Sequence, residues 1–313
     1  MLTAGNKIER GTEDPEPVAG DMKAIRGILK NNESMAAHTS WRAGGKADRY
    51  FEPADLDDLI SYLMTVAADE PLLWVGLGSN LLVRDGGFRG TVIVPGKALN
   101  KIETEPSGLV RVEAGVPCAK VARQSARAGF TGAEFLAGIP GTMGGALAMN
   151  AGAFGGETWN IVKTVNTVNR TGKITARQPA EFNVGYRSVQ LPGDEWFIST
   201  ELQLQKDHDN TAEQRISEFL DKRSATQPMG LPSCGSVFRN PPDDHAARLI
   251  DACGLKGKRI GNASISGKHA NFIINHGDAA AGDIEKLIVL AQQSVMDKFG
   301  IELIPEVKVI GEP

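Results

Sequence analysis

Along the chain, apolar positions first recur at Met22, Ile25, Ile28 and Leu29, a helical spacing that predicts a short amphipathic helix over residues 22–29. The stretch before it, residues 1–21, mixes Glu9, Arg10, Glu13, Asp14 and Glu16 with Pro15 and Pro17. With no apolar face to bury, it reads as a flexible tail. From Tyr50 onward the pattern predicts a helix over residues 55–67 and strands at 72–75 and 81–83, with the turn Gly76-Leu77-Gly78-Ser79-Asn80 between them. Further strands are expected at 92–94 and 109–113. A helix over 119–128 follows Pro117 and should stop at Gly129.

The next segment, residues 138–156, holds too many glycines to be helical throughout. Beyond it, 161–169, 173–177 and 196–205 read as strands, the first two joined by Arg170-Thr171-Gly172. A wholly polar linker at 206–210 separates these strands from a helix over 211–225. The remainder reads as a helix over 245–253, a strand at 270–275, a long helix over 279–299 capped by Asp278, and a closing strand over 301–310. The fold class is therefore mixed, α+β, in two or three packed units, with no internal repeat.

Composition narrows the function classes. The 34 Lys and Arg against 38 Asp and Glu give a net charge of −4, which argues against a nucleic-acid-coating surface. Cys118, Cys234 and Cys253 are odd in number and lack CxxC spacing, so neither a disulfide framework nor a zinc site is expected. His38, His208, His245, His269 and His276 show no paired spacing, and no metal is expected. No stretch reaches the ~20 apolar residues of a membrane span, and the first thirty residues lack a signal-peptide core, so a cytoplasmic protein is expected.

Two glycine clusters are candidates for anion binding. Gly76, Gly78, Ser79 and Asn80 follow an apolar strand, where backbone N–H groups can converge on a phosphate; a plain tight turn between strands explains the same residues. The third glycine of a dinucleotide fingerprint is missing, because Leu81 stands in its place. Gly138, Gly141, Gly144, Gly145 and Gly152 would leave backbone open to a pyrophosphate, helped by a helix starting near Thr142. Close packing of helix on sheet accounts for them equally well. The stretch from Gly261 to His269 is not a phosphate loop, since its spacing is one residue too long and His269 stands where Ser or Thr would hold magnesium.

Six segments in order carry a more specific signal: GLGSNLLV at 76–83, GIPGTMGGALAMNAGAFG at 138–155, GYRSV at 185–189, GSVFRNP at 235–241, KHANFIIN at 268–275 and IPEVKVIG at 304–311. Together with HTSWRAGGKADRY from His38, they closely resemble the UDP-N-acetylenolpyruvoylglucosamine reductase family. The resemblance implies a vanillyl-alcohol-oxidase-like FAD-binding fold in two subdomains, over 22–95 and 96–206, and a smaller α/β substrate-binding domain over 211–313. It implies non-covalent FAD held by Gly76, Gly78, Ser79 and Asn80 and by Gly138, Ile139, Pro140, Gly141, Thr142, Gly144, Gly145, Asn150, Ala151 and Gly152. NADPH would be the co-substrate, and UDP-N-acetylglucosamine enolpyruvate the substrate of a monomeric enzyme of peptidoglycan-precursor synthesis.

The same resemblance implies catalytic roles for Arg187, Ser236 and Glu306, and substrate or nicotinamide contacts for Tyr186, Asn240, Lys268, His269 and Asn271. Arg223, Lys256, Lys258 and Arg259 are further cations that could meet a diphosphate. Without the resemblance, Arg187 would read as a surface arginine after a turn, and Glu306 as an edge-strand charge beside Pro305. The run from GYRSV into SVQLPGDEWFI leaves no room for an extra loop, which resembles the shorter form of the family, lacking a loop tyrosine over the substrate. Cys234 departs from the small residue, such as alanine, expected before Gly235. An oxidase of the same flavin fold, or a flavin-binding sensor without turnover, would share the glycine segments but would not need GSVFRNP and PEVKVIG.

Overall fold

A computed structural model describes residues 25–313, so the segment read as a tail and the start of the predicted N-terminal helix lie outside the described residues. The end of that helix is corrected. Ile28–Ser34 is a strand, paired antiparallel with Lys46–Glu52 from Ile28↔Glu52 to Ser34↔Lys46. A run that short cannot repay helix nucleation, and strand pairing satisfies its backbone instead. Asp58 anchors the approach to this strand, its carboxylate accepting from the N–H groups of Arg26 and Gly27 at 2.8 Å each.

Lys46–Glu52 continues in parallel to Phe88–Ile93, which pairs in parallel with Leu72–Trp74 to complete a four-stranded sheet. Helix α1, Leu56–Thr65, starts at Asp55, whose carboxylate accepts from the N–H of Asp58 at 2.9 Å. It lays Leu59, Tyr62 and Leu63 on Phe51 and Ile93 of that sheet. Burying a side chain such as Leu59 or Phe51 contributes ~1.5–3 kcal/mol, so this face fixes the helix on the sheet.

A second sheet of five antiparallel strands runs Ile174–Arg177, Val162–Asn169, Glu195–Gln203, Leu109–Glu113, Ile102–Thr104. Helices α2, Cys118–Arg127, and α3, Met143–Met149, cover it with Val121, Met143 and Ala146 against Val110, Val112 and Leu202. Gly129 ends the α2 segment at φ +80, as its position after the helix predicts. Helix α4, Ala212–Thr226, lies beyond the polar linker, yet it seats Ala212 and Ile216 in the same core.

The C-terminal part packs α5, Ala246–Ala252, and α6, Ala281–Phe299, against the short strands Arg259–Ile260, Ala263–Ile265 and Ile273–Asn275. Trp41, Ala43 and Leu82 of the first part join this core, and the Trp41 indole donates to the Ile273 carbonyl at 2.7 Å. Two expectations are corrected here. The closing strand is only Lys308–Ile310, paired in parallel with Leu81–Val83, because residues 304–306 instead hydrogen-bond the 237–239 segment. Asp278 does not cap α6: it sits at φ +53, and Asp85 from a distant loop accepts from the N–H groups of Ala281 and Gly282 at 2.9 Å each.

Candidate active site

A cleft of about 470 Å³ opens between the first two sheets and the C-terminal part. One wall is the turn after Leu72–Trp74, where Gly76, Gly78, Ser79 and Asn80 all face the cleft. Gly78 has φ +60, and a Cβ there would lie 2.0 Å from the His38 carbonyl oxygen, so only glycine lets the two loops meet. The facing wall is Gly138, Ile139, Pro140, Gly141, Thr142 and Gly145, then Ala151 and Gly152. A Cβ at Gly141 would make only ordinary contact, with Ser79 Oγ at 3.7 Å and Ile139 Cγ2 at 3.8 Å, so a side chain could be added there without a clash at Cβ.

The glycine cluster divides between lining the cleft and close packing. Gly144 does not reach the cleft: a Cβ there would lie 2.9 Å from that of Ala114, and its N–H donates to the Ala114 carbonyl at 2.8 Å, which is helix packed on sheet. The helix-end contribution is narrower than the sequence suggests. The N–H of Met143 donates to Val116, that of Gly144 to Ala114, and that of Gly145 to the Thr142 hydroxyl, so these donors are already engaged. What the wall offers is glycine backbone without side chains beside the apolar Trp74, Leu77, Ile139 and Phe154, a lining that suits a ligand with a sizeable apolar part.

Three polar side chains, Arg187, Ser236 and Glu306, line the cleft, and two of them, Arg187 and Glu306, are in contact. Arg187 is the second residue of a two-residue loop joining Asn183–Gly185 to Ser188–Gln190, and it holds φ +53, a left-handed conformation that a branching side chain seldom adopts. Its guanidinium donates to the carbonyls of Gly152 at 2.6 Å and Asn150 at 3.4 Å, and its Nε lies 3.2 Å from Glu306 Oε1. Of the five N–H groups of an arginine, these contacts use the one on Nε and one on each terminal nitrogen. The guanidinium keeps two further N–H groups for another acceptor.

Glu306 is held from both sides: its N–H donates to Val237 at 2.8 Å, and its carbonyl accepts from Asn80 Nδ2 at 3.1 Å. With its side chain only 16% exposed, burial pushes its carboxyl above the ordinary range, while Arg187 and then Arg239 pull it back down. Ser236 lines the cleft after Gly235, which has φ +71. Asn271, fully buried, clamps the next residues by accepting from the Phe238 N–H at 2.9 Å and donating to the Phe238 carbonyl at 2.8 Å.

The other expected residues fall outside the cleft lining. Asn150 is buried at φ +45 at the end of α3, donating to Glu157 and to the Gly185 carbonyl, so it ties down the Arg187 hairpin. Tyr186 is 49% exposed, with the Arg187 guanidinium 5.0 Å from its ring centre. Asn240 accepts from the Ala246 N–H at the start of α5 at 3.2 Å, and Lys268 donates to the Ser224 carbonyl at 2.6 Å. His269 has a buried Nδ1 without a partner, and burial lowers its pKa. Of the additional cations, only Arg223 faces the cleft; Lys256 pairs with Asp251 and Arg259 bonds the Gly261 carbonyl.

The sequence reading did not single out several cleft residues, among them Lys308 and Phe154. The available signal was that Lys308 lies two places from Glu306 in the closing strand that the sequence predicts, where both would share a face, although the strand itself begins only at Lys308. Cys234 also lines the cleft, its thiol pushed up to about 12 by burial and donating to the Gly78 carbonyl, an inert packing role.

Residues 47–176 match the family described as FAD binding domain, and residues 227–310 match UDP-N-acetylenolpyruvoylglucosamine reductase, C-terminal domain. The chain is 57% identical to the UDP-N-acetylenolpyruvoylglucosamine reductase of Methylococcus capsulatus, over 95% of this chain and 98% of that protein. It is 52% identical to the reductase of the same name from Alkalilimnicola ehrlichii, over 94% of this chain and 99% of that one. Among solved structures, UDP-N-acetylenolpyruvylglucosamine reductase from Thermus caldophilus superposes with a TM-score of 0.78 at 32% identity, covering 91% of this chain and 99% of that one.

Proposed function

Because the chain belongs to the UDP-N-acetylenolpyruvoylglucosamine reductase family and carries its FAD-binding domain, we propose that it reduces UDP-N-acetylglucosamine enolpyruvate to UDP-N-acetylmuramate with NADPH, as a cytosolic monomer. The observation that carries this reading is that Arg187, Ser236 and Glu306, from three separate segments, line one glycine-rich cleft, with Arg187 against Glu306.

The two glycine walls would hold FAD non-covalently, and FAD bound there would supply the redox chemistry between NADPH and the enolpyruvyl methylene carbon. The protein residues handle the charge and the proton. The guanidinium fork of Arg187 binds the substrate carboxylate, over which negative charge spreads once the methylene carbon has accepted hydride. Glu306 holds that guanidinium from its Nε side, so the fork is presented in one orientation. Ser236 gives its hydroxyl proton to the carbon next to the carboxylate and is reprotonated from solvent, completing the saturated lactyl ether. Arg223, half-buried and bonded through Nε only to Gln227, suits a phosphate of the substrate or cofactor.

Absorbance at flavin and NADPH wavelengths, with and without the enolpyruvyl sugar, tests the reading. The expected result is NADPH consumption that needs the sugar and consumes one equivalent of each. Oxidation of NADPH that depends on oxygen and ignores the sugar would refute it.

A further inference from the structure

Arg239 stands three residues after Ser236 and was absent from the expected site. Its backbone belongs to the segment that positions Ser236 and Glu306 together, because Arg239 N–H donates to the Ile304 carbonyl at 2.9 Å and Glu306 N–H donates to Val237 at 2.8 Å. Its side chain leaves that segment and crosses to the hairpin, where Nη2 donates to the Arg187 carbonyl at 3.0 Å. That carbonyl belongs to a residue held at φ +53, a conformation that persists only where its surroundings enforce it. Arg239 also lies close enough to help hold the Glu306 carboxyl down against burial.

The arrangement is poor as a stability device. The Arg239 Nε–H is buried with no hydrogen-bond partner among the described residues, and a buried unmet donor on a cation costs free energy that simple packing would avoid. An apolar residue would fill the space without that cost.

We propose that Arg239 is a positioning residue, the strut that fixes the Arg187 hairpin tip to the two hydrogen-bonded segments carrying Ser236 and Glu306, so that the carboxylate fork and the proton donor face one substrate at fixed separation. The proposal rests on the catalytic reading above for its kinetic consequence, but not for its structural one.

The test uses the FAD-loaded protein and the variants Arg239→Gln and Arg239→Lys. Hydrogen exchange without substrate should show the amides of residues 183–190 exchanging about tenfold faster in Arg239→Gln, with residues 259–275 and α6 unchanged. In stopped flow, flavin reduction by NADPH should keep its rate while reoxidation by the enolpyruvyl sugar slows about tenfold or more. Arg239→Lys, which can still donate to the carbonyl, should recover the hairpin protection and much of the reoxidation rate. Unchanged exchange in the hairpin overturns the proposal. So does faster exchange across the whole C-terminal part, or equal slowing of both half-reactions, since either marks a general structural role. If the wild type is not reoxidised by the sugar, the functional reading falls, and the hairpin exchange still decides the role of Arg239.

Discussion

Along the glycine walls of the cleft, residues adjacent in space are mostly adjacent in sequence: Gly76 to Asn80 form one turn, and Gly138 to Gly145 form one loop and the start of α3. At the charged end the reverse holds. Arg187 comes from a hairpin, Ser236 from an irregular segment and Glu306 from the approach to the last strand, and each is fixed by hydrogen bonds to distant chain. Asn80 joins the two regions, its amide reaching the Glu306 carbonyl across 226 residues of sequence. The walls are thus defined by what is left out, side chains, whereas the charged end is defined by groups that long-range contacts must hold in place. Substitutions should separate the two: those at the charged end alter rates, and those on the walls alter cofactor affinity.

The largest effect is expected at Ser236. Ser236→Ala should leave flavin reduction by NADPH near its wild-type rate while slowing reoxidation by the sugar ~10²-fold or more, the range for losing an acid catalyst. Ser236→Cys should retain part of the reoxidation rate. Stopped-flow traces in which both half-reactions slow alike, or neither does, would make Ser236 structural and move the search for the acid to Glu306 or a water it holds.

Arg187→Lys comes next. Lysine keeps the charge but has no planar fork, and it cannot donate at once to Gly152, Asn150 and a carboxylate from the geometry that Arg187 uses. Losing a charge-assisted hydrogen bond costs about 1.5–3 kcal/mol, so reoxidation should fall ~10- to 100-fold with flavin content intact. Near-normal turnover would reduce Arg187 to a hairpin residue.

On the opposite wall, Gly141→Val adds a side chain where nothing lies within 3.7 Å of the Cβ and no positive φ is required, so the protein should fold normally. The added bulk occupies the cleft itself, and FAD should bind about tenfold more weakly, ~1.4 kcal/mol. Calorimetric titration of the apoprotein with FAD checks this. Unchanged affinity would show that the glycine wall does not face the cofactor.

How much of this was legible follows the same division. The walls were readable because glycine spacing is local, and the long helices were readable from their 3.6-residue period. Gly144 was grouped with its neighbours because sequence does not say which side of a wall a glycine faces; only contact with Ala114 does. Arg187, Ser236 and Glu306 came forward through ordered motifs rather than periodicity. Arg239, in one of those motifs, was missed because its partner is a backbone carbonyl, and carbonyls leave no mark in sequence. The N-terminal strand Ile28–Ser34 was misread because its fate depends on pairing with Lys46–Glu52 rather than on its own pattern.

The smallest effect is expected at the start of α6, where local reading and long-range structure disagree about one cap. Asp278 has the residue type and position of a cap, but at φ +53 it lies in the turn before the helix. Asp85 does the capping from the other side of the core, with both carboxylate oxygens on the N–H groups of Ala281 and Gly282. Removing such a cap costs ~1 kcal/mol. For a chain of this size that lowers Tm by about 1–2 °C. Asp85→Ala should show that loss, whereas Asp278→Asn, which tolerates the same left-handed backbone, should be silent. Both variants should bind FAD and complete both half-reactions as the wild type does, because neither residue lines the cleft. Thermal melts that assign the loss to Asp278 would restore the local reading. A fall in reoxidation rate in Asp85→Ala at unchanged flavin content would instead show that the charged end depends on the anchoring of α6, and that stability and positioning are coupled there.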